Sequence, residues 1–351
     1  QPAIPIKSTT QTSIIKLLNQ NNNCTDVIGF GHAVSNNFGK IPQAYWLSNP
    51  CKNDGTLEPH NIENIGMVTD AVWFDINNNG SEELIVVGEW MAPKVFSVQN
   101  NTLIEVSKQY IPAHLNGLWQ SIEIFDLNND GQQEIILGNF GKNTKFLASS
   151  QNPMRLYHAD FDTNGQTESV IAINKNGKYY PINNLDELSE QLPHLKKKYN
   201  AYIDFAGQTI DQVFNQNQLK NASLLEVHNL ASGYLKLENN KWVFHDFDVS
   251  LQIAPITSML KVDLTNNGKD ELLLGGNYFG LAPFHGRLGS FDGAAISSNG
   301  SIISARNLGL NFFNKAVVSL ELLNIDQQQH IIVVYNNAPV EVYKINFKNN
   351  E

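Results

Sequence analysis

The chain has 351 residues, long enough for two average domains or one large all-β domain, and its 42% apolar content suits a sizeable core. A formal net charge of −10 excludes a nucleic-acid partner, because nothing here neutralises a row of phosphates, and suits a protein that collects cations. No apolar run approaches 18 residues, which excludes a transmembrane helix.

In chain order, the first stretch, QPAIPIKSTT, lacks the basic-then-apolar pattern of a signal peptide. The expectation is either a signal already removed or a chain that is part of something longer. Two strand-like runs, DVIGFGH (26–32) and QAYWLSN (43–49), lie between the two cysteines, Cys24 and Cys51. Paired as a hairpin with Asp26 opposite Asn49, they bring Cys24 opposite Cys51. A disulfide there implies an oxidising compartment; the alternative is two unpaired thiols in a cytosolic protein.

Self-similarity then dominates. MVTDAVWFDINNNGSEELIVVGEW begins at Met67, LWQSIEIFDLNNDGQQEIILGNF at Leu118, MRLYHADFDTNGQTESVIAI at Met154 and ITSMLKVDLTNNGKDELLLGGN at Ile256. Each reads as an alternating strand, an Asp-initiated polar loop and a second apolar strand, and three of the four second strands end in glycine. A four-stranded propeller blade takes about 40–50 residues, so the 103 residues from Asp160 to Asp263 are expected to hold more than one blade. Part of that gap reads as helix. Residues 183–199 offer an N-cap at Asn184 with Glu187 three residues on, as in a capping box. Leu185, Leu188 and Leu192 share one face, and Pro193 stops it. Residues 202–214 suggest a second short helix, and 232–247 a hairpin turning at Asn239–Asn240. Residues 319–345 look like a fifth, worn copy that keeps the strands but not the carboxylates.

The four loops have the spacing of calcium sites, which need six to eight oxygens from positions 1, 3, 5, a backbone carbonyl at 7, and 9. The ligand sets are Asp75, Asn77, Asn79, Ser81 and Glu83; Asp126, Asn128, Asp130, Gln132 and Glu134; Asp160, Asp162, Asn164, Gln166 and Glu168; and Asp263, Thr265, Asn267, Lys269 and Glu271. Gly80, Gly131, Gly165 and Gly268 hold position 6, where the backbone needs φ > 0. An EF-hand adds a glutamate at position 12. Here that position is Val86, Leu137, Ile171 or Leu274, so these are strand-to-strand turns, not EF-hands. One such loop is also an ordinary Asx-stabilised turn; four in register, each with an acid at position 9, point to calcium. The second and third loops carry three carboxylates each and the others two, which predicts tighter binding at the second and third.

These motifs resemble the FG-GAP/VCBS repeat family, the calcium-binding β-propellers related to the integrin α-subunit head. FDLNNDGQQEIILGNF and VDLTNNGKDELLLGGN carry the resemblance. GMVTDAVWFD, VVGEWM, LPHLKKKYNAYIDFA and FHGRLG extend it to bacterial proteins of the ASPIC/UnbV-associated kind, common in Bacteroidetes, over roughly residues 24–346. The departures are Thr265 at position 3 of the fourth loop and the carboxylate-poor copy near Asp326. The resemblance implies a β-propeller, seven-bladed or part of one, with N-terminal blades of a longer protein missing from this stretch; the residues themselves add a small helical insertion at about 184–216 and, with no composition shift, a single domain spanning 1–351. The resemblance also implies export to the periplasm, outer membrane or exterior.

Outside the loops, residues 275–293 are richest. Tyr278, Phe284, His285, Arg287 and Asp292 are candidate ligand-binding residues, since aromatics with a few polar groups suit a sugar or peptide; the alternative is that the aromatics pack between blades. Lys196, Lys197 and Lys198 would dock an anionic partner or simply form a solvated helix face. No HExxH, G-x-S-x-G or phosphate-binding glycine loop is present, so no catalytic residue is assigned. His114, His158 and His285 are the histidines best placed to meet a carboxylate in three dimensions. The functional expectation is a non-catalytic module binding a protein or glycan at the cell exterior. The alternatives are a propeller polysaccharide lyase or glycoside hydrolase, or a structural piece docking onto other blades or chains of a longer parent protein.

Overall fold

A computed structural model describes residues 13–19, 25–48, 58–62, 65–99 and 102–345. The chain is a β-propeller-like, all-β fold of antiparallel sheets. The first sheet is β1 (Ser13–Asn19), β2 (Thr25–Gly31), β3 (Ala44–Ser48) and β4 (Glu58–Ile62). The second is β5 (Met67–Phe74), β6 (Glu83–Met91), β7 (Lys94–Gln99) and β8 (Thr102–Glu105), with β9 (Gly117–Leu118) added to β6. The third opens with β10 (Ser121–Phe125) and β11 (Glu134–Gly138) and then breaks off. The intervening chain builds a sheet of its own from β12 (Met154–Ala159), β13 (Glu168–Lys175), β14 (Lys178–Pro181) and β15 (Ser223–Val227), ordered β14-β13-β12-β15. Only then do β16 (Gly233–Glu238) and β17 (Lys241–Asp246) complete the third sheet, β16 pairing with β11. The remaining sheets are β18 (Ile256–Val262), β19 (Glu271–Gly276), β20 (Ala294–Ile296) and β21 (Ile302–Ser304), then β22 (Val317–Ile325), β23 (Gln328–Tyr335) and β24 (Glu341–Lys344).

The first strands β1, β5, β10, β18 and β22 neighbour one another in that order, as the inner strands of successive blades do. Among the described residues, β22 makes no comparable packing with β1. Second strands are near-continuous apolar runs because both faces are covered. In β6, Leu84 and Val86 pack toward Ile28, Phe30 and Trp46 of the first sheet, while Ile85 and Val87 pack toward Ile122, Ile124 and Ile135 of the third. The glycines that end these strands allow close approach. A Cβ on Gly138 would lie 2.4 Å from the Ile256 carbonyl oxygen, where the next blade begins.

Several expectations change. The gap after Asp160 holds no complete further blade of the series; it holds the rest of the inserted sheet and the outer half of the third. The Met154 copy is therefore an insertion between two strands of one blade. Helix formation extends past 216, as five short helices: α1 (Leu185–Gln191), α2 (Leu195–Lys198), α3 (Tyr202–Phe205), α4 (Ile210–Val213) and α5 (Gln216–Asn221). Leu185, Leu188 and Leu192 do face inward, against Tyr157, Phe161 and Val170 of the inserted sheet. The Asn184 side chain accepts from the Glu187 N–H at 2.9 Å, but no reciprocal box forms, because the Glu187 carboxylate accepts from Asn183 Nδ2 instead. The hairpin between 26 and 49 pairs one residue off the expected register, with Val27 opposite Leu47. Cys24 and Cys51 lie outside the described residues. The turn at Asn239 and Asn240 is as expected, both with positive φ (50° and 61°). The worn copy turns the same way at Asp326 and Gln327 (49° and 65°), a tight hairpin with no room for a metal loop.

Candidate functional site

The four Asp-rich loops share one template. The position-1 carboxylate accepts from the N–H groups of positions 5 and 6: Asn79 and Gly80 on Asp75 (3.0 and 2.7 Å), Asp130 and Gly131 on Asp126 (3.2 and 2.9 Å), Asn164 and Gly165 on Asp160 (3.0 and 2.8 Å), Asn267 and Gly268 on Asp263 (3.2 and 2.9 Å). Position 5 turns its oxygen onto the N–H of position 7, at Ser81, Gln132, Gln166 and Lys269. The position-9 glutamate reaches back to the N–H of position 2, at Ile76, Leu127, Phe161 and Leu264. The glycines have φ between 79° and 88°, and position 4 is also left-handed at Asn78, Asn129, Thr163 and Asn266, which favours Asn.

The loops part company at the second oxygen of that glutamate. Asn77 Nδ2 donates to Glu83 Oε1 at 2.9 Å. Thr265 Oγ1 donates to Glu271 Oε1 at 3.0 Å. In the second loop Lys236, arriving from β16, sets its ammonium 3.3 Å from Glu134 Oε1 and 3.5 Å from Asp130 Oδ2. Among the described residues, the third loop has no such donor. There Asp160, Asp162 and Glu168 offer oxygens within 4.8 Å of one another, the one group of three potential ligands of this kind among the described residues. Burial raises the Glu168 carboxyl pKa; the Phe161 N–H opposes this, but the charges of Asp162 and Asp160 add to it and the net direction is up. That is the signature of carboxylates without a counter-charge. An all-oxygen set of this kind fits calcium. A depression of about 700 Å³, shared with Gln218 of α5 and its N-cap Asn215, opens the loop to solvent. Lys269, expected to contribute only its carbonyl, sends its side chain to Asn129 Oδ1 of the second loop at 3.2 Å.

The opposite ends of the same strands build a second constellation. Gly88-Glu89-Trp90, Gly138-Asn139-Phe140 and Gly276-Asn277-Tyr278 occupy equivalent positions at the ends of β6, β11 and β19. Asn139 is fully buried and spent on backbone: its Oδ1 accepts from Leu118 and Phe140 N–H, and its Nδ2 donates to Asn229 and Ala231 carbonyls. Asn277 likewise ties Phe291 to Lys315. Glu89 stitches no backbone. Its carboxylate meets His32 Nε2 at 3.1 Å and Gln120 Nε2 at 3.0 Å. Burial alone raises Glu89, but the hydrogen bond and charge of His32 outweigh it and the carboxyl is lowered; burial likewise lowers His32, and Glu89 reverses it to a net rise.

Trp90, Phe140 and Tyr278 together line a pocket of about 270 Å³, closed by Met154, Ile171 and Glu187 of the insertion and by His285. A neighbouring cavity of about 340 Å³ lies among the inner strands, between His32, Thr69, Gln120, Thr257 and Asn336. Of the expected ligand-binding residues, Tyr278 and His285 line the pocket. Phe284 stacks on His285, Arg287 lies over Phe279 at 3.6 Å, and Asp292 is outside the lining. Phe291 packs between blades, as the alternative reading of this segment had it. Lys198 donates to the Gln212 and Val213 carbonyls, while Lys196 and Lys197 are exposed. His158 pairs with Ser169 and His114 meets His228 edge to face; of the three, only His285 meets a carboxylate, Glu187 at 3.7 Å. The sequence reading missed His32, Glu89 and Trp90. The signal was present: the Gly-x-aromatic triplet recurs three times, with Glu where the other two copies have Asn.

Residues 75–137, spanning the first two loops, match the family model for the FG-GAP-like repeat, which supports the FG-GAP family. No curated protein sequence matches the chain. Among solved structures, the V. cholerae biofilm matrix protein Bap1 aligns over 94% of this chain and 76% of its own, at 10% identity and a TM-score of 0.29; a likeness that low carries no argument. Among the described residues no helix is long and apolar enough to cross a membrane.

Proposed function

We propose that this chain is an exported β-propeller module, stapled by calcium, that binds a protein or glycan without catalysis. The observation that carries this reading is the separation of the two constellations. The first, second and fourth Asp-rich loops sit at one end of the first and second strands and the aromatic pocket at the other, a strand of five to nine residues apart, roughly 15–30 Å at 3.3 Å per residue; in the inserted sheet the pocket residue Ile171 is three residues past Glu168, about 10 Å away. A metal in the third loop would brace Asp160, Asp162 and Glu168 without reaching the pocket, so its role is structural. Capture of cell-surface polysaccharides or proteins by the intact chain, with and without chelator, tests the reading; a chain that retains neither class under any condition defeats it.

The catalytic alternative has a feature in its favour, because His32, Glu89 and Tyr278 do gather beside the inner strands. Their titration runs the wrong way. A glycosidase acid needs a raised carboxyl, whereas Glu89 is lowered. A tyrosine base needs a lowered phenol, whereas burial and the Glu89 charge raise Tyr278. Incubation with a polysaccharide panel decides it: unsaturated or new reducing-end product rules out binding alone. The docking alternative is supported by the last sheet, where Val318, Leu323, Ile325 and Val342 are exposed, as apolar side chains at an interface are before it forms. A stable, protease-resistant monomer on gel filtration argues against it.

A further inference from the structure

We propose that the pocket formed by Trp90, Phe140 and Tyr278 receives one ring of a neutral saccharide. This rests on the reading of the chain as a binding module and names the class of ligand at its pocket. Four observations carry it.

The walls are continuous aromatic surface. Phe146, Phe140 and Tyr278 follow one another at ring separations of 6.1 and 5.9 Å, and His285 continues the series at 5.7 Å from Phe146. The flat face of a pyranose presents weakly positive C–H bonds, which suit the negative faces of such rings. At about 270 Å³ the pocket is at the small end for organic ligands, enough for one ring and not for a chain.

The polar groups in the wall are two carboxylates, Glu89 and Glu187, beside neutral donors and acceptors, Asn183, Tyr278 and His285. Glu89 is matched by His32 at 3.1 Å. Glu187 and Lys145 act on His285 with opposite sign, and burial together with Lys145 keeps that imidazole below its ordinary value. An anionic ligand therefore finds two carboxylates and no lysine or arginine in the lining, whereas hydroxyls, each both donor and acceptor, match Glu187, Asn183 and the Tyr278 hydroxyl.

His285 is a buried polar group still in need of a partner. Only 6% of its side chain is exposed, and its Nδ1 has no hydrogen bond among the described residues. Such a group costs free energy unless something else satisfies it, and its ring lines the pocket.

Trp90 is held with φ = +60°. For a bulky side chain that backbone is a true outlier, and strain of this kind collects at ligand sites. The arrangement uses it to put a third blade's aromatic beside Phe140 and Tyr278.

The test is calorimetric titration of the intact chain with neutral sugars (glucose, galactose, mannose, N-acetylglucosamine), with glucosamine and glucuronate as charged comparators. The expected result is binding of at least one neutral sugar, weakened about tenfold by Glu187→Gln and several-fold by Tyr278→Phe, as loss of a charged and a neutral hydrogen bond implies. Both variants keep the shape of the wall; if Glu187→Gln fails to fold, Tyr278→Phe, at a half-exposed position, carries the test. The proposal is overturned if no neutral sugar binds, if only a charged comparator binds, or if neither variant weakens binding. Capture of a cell-surface protein or polysaccharide that both variants leave intact overturns this pocket assignment while the binding-module reading stands.

Discussion

The loops at 126–134 and 160–168 are the two that carry three carboxylates, and the fold treats them differently. Both place their first aspartate, glycine and position-9 glutamate alike. At 126–134 the remaining negative charge is answered from within by Lys236. Asp130 is lowered by the Gln132 N–H, the Asn128 amide and Lys236, while Lys236, which burial alone lowers, is raised by Glu134 and Asp130. At 160–168 no cation among the described residues answers it, and Glu168 is raised. Counting carboxylates along a sequence treats these two loops as equal, whereas a counter-charge reaches one of them from a strand more than a hundred residues away. A lysine in that position is a built-in cation; the loop without one is where the proposed calcium has three carboxylates to meet.

The largest test of that difference is removal of calcium. A site saturated a hundredfold over its dissociation constant stabilises a fold by about 2.7 kcal/mol, so chelation is expected to lower the Tm clearly in the parent chain and hardly at all in Glu168→Gln, followed by thermal melts. Asp126→Asn, by contrast, is expected to leave the chelation shift intact. Next in size is Lys236→Met, which keeps the apolar stem and removes the ammonium. Without calcium it is expected to destabilise by about 1 kcal/mol, as loss of a partly exposed ion pair implies. With calcium it is expected to gain a second chelation-sensitive site, read by calorimetric stoichiometry; an unchanged stoichiometry means the second loop is an ordinary turn. The smallest effect lies at the other end of the strands. His32 is raised above 6.5, so its contribution is complete below that pH and fades as pH rises through the raised value. Glu89 is lowered below 4.5, so its contribution is complete above that pH and fades as pH falls through the lowered value. The pair therefore stabilises most between pH 4.5 and 6.5. His32→Gln is expected to lower stability in that window and to remove the decline above pH 6.5, measured by denaturant melts across pH, and to leave the calcium response untouched.

Much of this was legible in the sequence. The repeat, its strands, the left-handed glycines and the apolar position 12 that excludes an EF-hand follow from local spacing, because those are constraints of one strand-turn-strand unit. The insertion was not legible. The copy beginning at Met154 has the same local chemistry as its neighbours, and nothing in its composition says that β11 must wait for β16. For the same reason Lys236 was invisible as the partner of Asp130 and Glu134. The pocket was half legible: Tyr278 and His285 stood out in an aromatic-rich loop, whereas Glu89 and Trp90 sat inside an apolar strand and gained meaning only when three blade ends met.

Calorimetric calcium titration of the parent chain beside Asp162→Asn and Asp130→Asn tests the central claim most directly. The account predicts that Asp162→Asn removes the tightest site and that Asp130→Asn leaves it unchanged. A tightest site that survives Asp162→Asn and disappears with Asp130→Asn would contradict it.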